Sequence, residues 1–251
     1  HDADRDDGHD GDHDDEAAGG RPAPRSRGGP SPPPRPDPLR RRVTLGAATA
    51  LAGLALPALA SSRRTVAPMT EGPFYPPRAW REQWDDWDAD LSRVQRDGRT
   101  LVARGEHLGL ELRLADVNGR AIDGAEVEIW QCDALAAYRH PRVRQVAGSF
   151  DEAFQGFGAS RSGSGGQARF RSIKPVPYPG RTPHIHVKLR HASFGELSSQ
   201  LFIAGDPGNA PDFLWRTLDA ADRPMLEMTL QPAAADSGLR WQVRHTLVLP
   251  A

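Results

Sequence analysis

Apolar side chains recur at every second position through the middle of this chain. Leu110, Leu112 and Leu114 alternate with Glu111 and Arg113, and Val127 and Ile129 alternate with Glu126 and Glu128. The same beat returns in Ala168 and Phe170 against Arg169 and Arg171, and in Ile185, Val187 and Leu189 against His184, His186 and Lys188. A period of two turns one face of an extended segment to a core and the other to polar surroundings, so these segments are half-buried β-strands. Turn chemistry separates them, in Val117-Asn118-Gly119, Asp123-Gly124, Gly163-Ser164-Gly165-Gly166 and Gly205-Asp206-Pro207-Gly208. Further strands are predicted over 199–204, 225–231 and 240–249, and helix is confined to short turns near 80–87 and 211–218. Many short strands with Gly and Pro turns, and no helices alternating with them, predict an all-β fold, an antiparallel β-sandwich with long loops and little helix.

Residues 1–39 break this pattern. Up to Glu16 the chain is almost all Asp, His and Gly, and from Gly19 it is rich in Pro, Arg and Gly. Such segments bury too little apolar area to offset their ordering entropy, so disorder is expected, with His1, His9 and His13 part of a solvated acidic tail. Residues 40–60 begin with Arg40-Arg41-Arg42, continue through an Ala- and Leu-rich run from 47 to 59, and end in Ala58-Leu59-Ala60. A basic start, a short apolar run and an A-x-A site describe an export signal rather than a membrane span, which needs about 20 apolar residues. The paired arginines make it similar to a twin-arginine (Tat) signal, with Thr44 where that signal usually has Phe. The expectation is one domain over 61–251, exported to the periplasm or the exterior, with no stable membrane span after cleavage.

Charge is nearly balanced, 32 Lys plus Arg against 33 Asp plus Glu, so no global field recommends nucleic acid or an anionic membrane as partner. Cys132 is the only cysteine, which excludes an intramolecular disulfide and any multi-cysteine metal site; it is expected to be a small half-buried strand residue.

The candidate chemistry lies in Pro177-Tyr178-Pro179-Gly180-Arg181-Thr182-Pro183-His184-Ile185-His186. His184 and His186 share one face of a strand, which suits a chelating pair but, taken alone, better suits, with Lys188 and Arg190, the wet face of an amphipathic strand. Tyr178 stands between two prolines that hold the backbone stiff. Tyr138 follows the strand around Val127 after a short loop that can aim a side chain back over the sheet. Two phenols and two imidazoles suit a hard ferric ion, whereas zinc or copper is less well served by a phenolate pair. Arg181 offers a fixed cation for charge developing on a substrate ring.

Taken jointly, Gly72-Pro73-Phe74-Tyr75-Pro76, the run from Val127 to Asp133 leading to Tyr138-Arg139-His140, the run from Phe170 to Pro175, the Tyr178 to His186 segment and Ser199-Gln200-Leu201-Phe202 resemble the intradiol ring-cleavage dioxygenases. The resemblance implies a β-sandwich around a non-haem Fe(III). It implies Tyr138 as equatorial phenolate, His184 as equatorial imidazole, Tyr178 as axial phenolate and base, and His186 as axial imidazole. It implies Arg181 and Gln200 on the substrate side, O2 and a catechol-type ring as substrates, and a cis,cis-muconate-type diacid as product. Three features depart from the family pattern. His184 follows Tyr178 by only six positions, Gly180 stands where protocatechuate enzymes carry a Trp, and no long helical region precedes the sandwich. Oligomeric state, a homo-oligomer included, stays open. The rival expectation is an exported prealbumin-like binding module without catalysis, since 110–132 also resembles the strand, turn and strand of such modules. Trp80, Trp84 and Trp87 fall at near-helical spacing and suit core or surface packing better than a pocket wall.

Overall fold

The computed structural model describes Gly29 and residues 63–82, 86–141 and 150–250. The expected disordered segment 1–39, Gly29 apart, and the expected signal 40–60 lie outside the described residues, as does Trp84. Contacts divide the chain into two units, His1–Ala55 and Leu56–Ala251, and the second holds every described strand. Among the described residues no helix is long and apolar enough to cross a membrane.

Eleven strands run through this unit among the described residues: β1 Arg93–Arg96, β2 Arg99–Val102, β3 His107–Asp116, β4 Glu126–Trp130, β5 Phe157–Arg161, β6 Gln167–Ile173, β7 His184–His191, β8 Gly195–Ile203, β9 Glu227–Met228, β10 Gln231–Pro232 and β11 Trp241–Leu249. Among the described residues helix is limited to α1 Arg78–Arg81, α2 Arg223–Leu226 and a 3-10 turn at Trp215–Thr217. A four-stranded sheet in the order β10-β11-β3-β6 packs on a five-stranded sheet in the order β5-β4-β7-β8-β9. The predicted alternation fills the space between them: Leu108, Leu110, Leu112 and Leu114 of β3 join Val127 and Ile129 of β4 and Ile185, Val187 and Leu189 of β7 in one buried cluster. Complete burial of a Leu or Ile contributes about 1.5–3 kcal/mol, so this layer dominates the favourable side of folding.

The all-β sandwich holds, with three differences of detail. Two pairings, β11 with β3 and β8 with β9, are parallel; a period of two reads the same in either direction, so alternation specifies a face and not a neighbour's orientation. The strand predicted over 225–231 is α2 followed by the short β9 and β10, because Pro224 in the first turn favours helix entry there. The β1–β2 hairpin and β5 carry no apolar beat. The hairpin is organised instead by Asp97-Gly98, both at positive φ (50° and 70°), the backbone a tight two-residue turn needs. In β5, a Cβ on Gly158 would stand 2.8 Å from the Asp88 carbonyl oxygen, so that strand tolerates no side chain at its closest approach.

Beyond the five-stranded sheet lies a second cluster. Trp130, Cys132, Tyr138 and Phe157 are buried on its far face, with Phe74, Tyr75, Trp87, Val176 and Tyr178 packed against them. The segment before β1 makes this cover. Met69 N–H donates to the Ser198 carbonyl, the Tyr75 ring meets Trp130 edge-on at 4.9 Å, and Trp87 meets Phe157 at 4.9 Å. Trp87 therefore packs, as expected, but from beyond α1, which ends at Arg81 rather than running through the predicted 80–87. Cys132 lies just past the end of β4 and is fully rather than half buried, and that burial pushes its thiol up to about 12. A thiol so placed is inert.

Candidate metal centre

The β7 strand opens at His184, with Ile185 and Val187 turned to the core and His184 and His186 to the covered face. Trp130 of β4 is in register with His186, and the two rings stack at 4.7 Å and 9°. Tyr138 arrives on a loop folded by Asp133, whose carboxylate accepts the Leu135 and Ala137 amides while Ala136 takes positive φ (62°). Phe74 then stacks on the Tyr138 ring at 4.5 Å. Tyr178 and Arg181 are the two ends of a Pro179-Gly180 turn. Arg181 N–H donates to the Tyr178 carbonyl at 2.8 Å, and Gly180 supplies the positive φ (82°) that the position after Pro179 demands.

These elements bring three donor atoms together. The Tyr138 Oη is 3.1 Å from His186 Nε2 and 3.4 Å from His184 Nε2, and the two nitrogens are 3.2 Å apart. The Tyr178 ring closes the group, 5.6 Å from the Tyr138 ring and 5.5 Å from that of His184. His184 and His186 are each 2% exposed and Lys188 7%, so the wet-face expectation for this strand does not hold. Lys188 is instead matched by Glu71 at 2.6 Å, on the covering segment.

The electrostatics suit metal ligation. His184 Nδ1–H donates to the Thr182 carbonyl at 2.7 Å, which fixes the tautomer and leaves the Nε2 lone pair facing the cluster. Burial, with Arg181 adding to it, lowers His184 to about 4, and burial with the neighbouring His184 and Arg181 takes His186 well below its usual range. Both imidazoles are thus neutral, the form that binds metal. Burial raises both phenols, Tyr138 the more strongly. A trivalent cation among them reverses that preference, because its field favours phenolate. Donors about 3 Å apart match adjacent ligands bonded at roughly 2.0–2.2 Å to one ion. Among the described residues no three His, Cys, Asp or Glu side chains gather into a metal site, so an ion held here would need phenol oxygen, a donor that suits Fe(III) better than zinc.

Arg181 stands beside this group and is itself held. Its Nε donates to Asp212 Oδ2 at 2.9 Å, its Nη2 donates to Gln200 Oε1, and its Nη1 lies 3.5 Å from the Tyr178 Oη. Gln200, opposite His186 in the β7–β8 register, is anchored at its other end by donating to the Thr70 carbonyl at 3.0 Å. Asp212 was missed in the sequence. Its carboxylate accepts amides from Thr182, Leu214 and Trp215 besides the guanidinium, and its place at the head of the 211–218 turn is the signal that could have found it.

Burial raises the Asp212 carboxyl, but the Trp215 and Thr182 amides and Arg181 outweigh it, and the net direction is below its ordinary value of 3.8. Its stabilisation is therefore complete above about pH 3.8 and is lost as pH falls through the lower folded value. Asp212→Asn is expected to cost roughly 3–5 kcal/mol at pH 7, the range for breaking a buried pair. Denaturant unfolding at pH 7 and pH 3 should show the gap between variant and parent closing in acid; a gap independent of pH would count against the charge pairing.

Residues 70–249 match the family model described as Dioxygenase. The chain belongs to the intradiol dioxygenase family. It is 33% identical over 150 residues to the protocatechuate 3,4-dioxygenase beta chain of Burkholderia cepacia, covering 55% of this chain and 63% of that one. It is 29% identical over 170 residues to catechol 1,2-dioxygenase 2 of Acinetobacter lwoffii, covering 59% and 55%. Among solved structures, it is similar to the dioxygenase domain of a dioxygenase and carbohydrate-binding protein fusion from the cellulolytic bacterium Streptomyces sp. SirexAA-E, with a TM-score of 0.54 and 25% identity, covering 75% of this chain and 99% of that domain. The chain thus spans less than two thirds of each of the two curated relatives and nearly all of the solved domain. The matched span of this dioxygenase-family chain contains Tyr138, Tyr178, Arg181, His184, His186 and Gln200.

Proposed function

We propose that this chain is a non-haem Fe(III) dioxygenase, with Tyr138, Tyr178, His184 and His186 as iron ligands, that cleaves catechol-type rings between the two hydroxylated carbons using O2. The product is a cis,cis-muconate-type diacid. The observation that carries this reading is the convergence of the Tyr138, His184 and His186 donor atoms within 3.4 Å, with Tyr178 beside them. A binding module has no use for this arrangement, because buried polar groups without a ligand cost stability.

When bound, the ferric ion supplies a chelation point for both catechol oxygens and withdraws electron density from the ring, opening it to O2. The chain does the rest. Tyr178 is half-buried and is the candidate donor that lines a cleft, so its phenolate oxygen takes a catechol proton as substrate enters. Arg181, 3.5 Å from that oxygen, stabilises the anionic form until then. Arg181 and Gln200 together face charge accumulating on the ring. Trp130 and Phe74, stacked on His186 and Tyr138, keep water away from the far side of the donors. The proposal includes export by residues 40–60 to the periplasm or exterior, supported by the basic start and short apolar run.

The direct test is oxygen uptake by iron-loaded protein supplied with catechol, with the product identified as the ring-opened diacid. Colourless protein that takes up no iron and consumes no oxygen would sink the assignment. Tyr178→Phe is expected to retain iron through the other three donors while losing part of the visible phenolate-to-iron absorption, and to slow substrate association at least tenfold, the low end of the range of about 10²–10⁴ for acid–base groups being further reduced by rescue from hydroxide. Stopped-flow absorbance reads both effects; unchanged colour and association rate would remove Tyr178 from the ligand set.

A further inference from the structure

A cleft of about 730 Å³ is lined by Tyr178 and Arg181, one candidate donor and the guanidinium beside it. That volume falls within the roughly 300–1,000 Å³ of clefts that bury drug-sized ligands, well beyond the needs of a single dihydroxylated ring. Its walls come from 105–106, Ala134 and parts of 174–183 and 206–212, with Pro175, Val176, Pro177, Gly180, Pro183 and Pro211 supplying apolar or Cβ-free surface. Gly180 has open space where a side chain would start, so nothing narrows the cleft there.

The charges of the lining are already matched. Lys174 pairs with Glu106 at 3.6 Å and Arg181 with Asp212 at 2.9 Å, while Asp206 adds a third carboxylate against these two cations. Among the described residues, each cation of the lining already has a carboxylate partner. Beside the cleft, Phe213 is 60% exposed and lies 5.5 Å from the Arg181 guanidinium, with ring surface left open to a second aromatic group.

Resting on the proposed activity, we infer that the preferred substrates are catechols bearing an uncharged aromatic substituent, which lies along the proline-walled cleft and against Phe213. Carboxylated single-ring catechols are disfavoured, because they bring an anion to a lining with excess negative charge and leave the cleft largely filled with water.

The test uses the iron-loaded full chain with catechol, 4-phenylcatechol and 3,4-dihydroxybenzoate. Oxygen uptake should give kcat/KM for 4-phenylcatechol about tenfold or more above that for 3,4-dihydroxybenzoate. Calorimetry without oxygen should rank the dissociation constants in the same order, and Phe213→Ala should weaken 4-phenylcatechol binding about fivefold. Phe213 is exposed, and an unchanged Tm verifies that the variant folds. Equal or better binding and turnover of the carboxylate, or a Phe213→Ala variant that binds 4-phenylcatechol as the parent does, overturns the inference and leaves the ring-cleavage reading intact. Selective binding of 4-phenylcatechol with no turnover of any catechol does the reverse.

Discussion

Tyr138→Phe is expected to lose most of its iron, together with its phenolate-to-iron colour and at least about a hundredfold in turnover. Changes to groups that merely orient a metal ligand cost 10–100-fold in affinity or activity, and removal of a ligand exceeds that. The substitution is narrow. Phenylalanine keeps the ring that stacks on Phe74 at 4.5 Å, and the side chain is already 4% exposed, so the packing survives. What disappears is one oxygen, 3.1 Å and 3.4 Å from the two imidazole nitrogens. Elemental analysis of purified variant and parent, with visible spectra and Tm, separates the outcomes. Full iron content and unchanged colour in a folded variant would mean that the three donors do not share an ion.

Arg181→Ala should act on two properties at once. Turnover is expected to fall about 10²–10³-fold, the usual effect of deleting one preorganised donor to developing charge. Stability should fall by roughly 3–5 kcal/mol, because Asp212, its side chain fully buried, is left without the cation that offsets its burial. Iron content should change little, since all four candidate donors keep their own side chains and only Tyr178 loses a neighbour, at 3.5 Å. The double variant Arg181→Met with Asp212→Asn separates the roles: removing both charges should restore much of the Tm while turnover stays low. Arg181→Lys should recover little, since an ammonium cannot reach Asp212 and Gln200 together as the guanidinium does. Loss of iron from Arg181→Ala would instead make Arg181 a support of the donors, and recovery of turnover in the double variant would remove it from the chemistry.

The strands that were legible in the sequence are those with one apolar face: β3, β4, β6, β7, β8 and β11. Those that were not, β1, β2 and β5, are held by a positive-φ turn or by close backbone approach, and neither produces an apolar alternation. The candidate site divides the same way. Tyr178, Arg181, His184 and His186 are close in sequence, and Tyr138 follows a readable strand, so their chemistry could be assembled before their geometry was known. Asp212 was legible only as a turn cap at the head of 211–218, because a turn-capping aspartate looks alike whether or not a guanidinium lies behind it.

By itself, then, the chain determined which residues alternate, where it turns and which groups are available for metal chemistry, because these follow from side-chain type and local spacing. Only the tertiary structure decided that the outer face of β7 is dry. Strand alternation marks His184, His186 and Lys188 as polar positions, and polar positions are buried only when partners arrive to satisfy them. Here the partners come from far along the chain, Glu71 to Lys188 and Tyr138 to His186, and the cover comes from Phe74, Tyr75 and Trp87. That cover holds the imidazoles neutral and excludes water, turning an amphipathic strand into a candidate metal site.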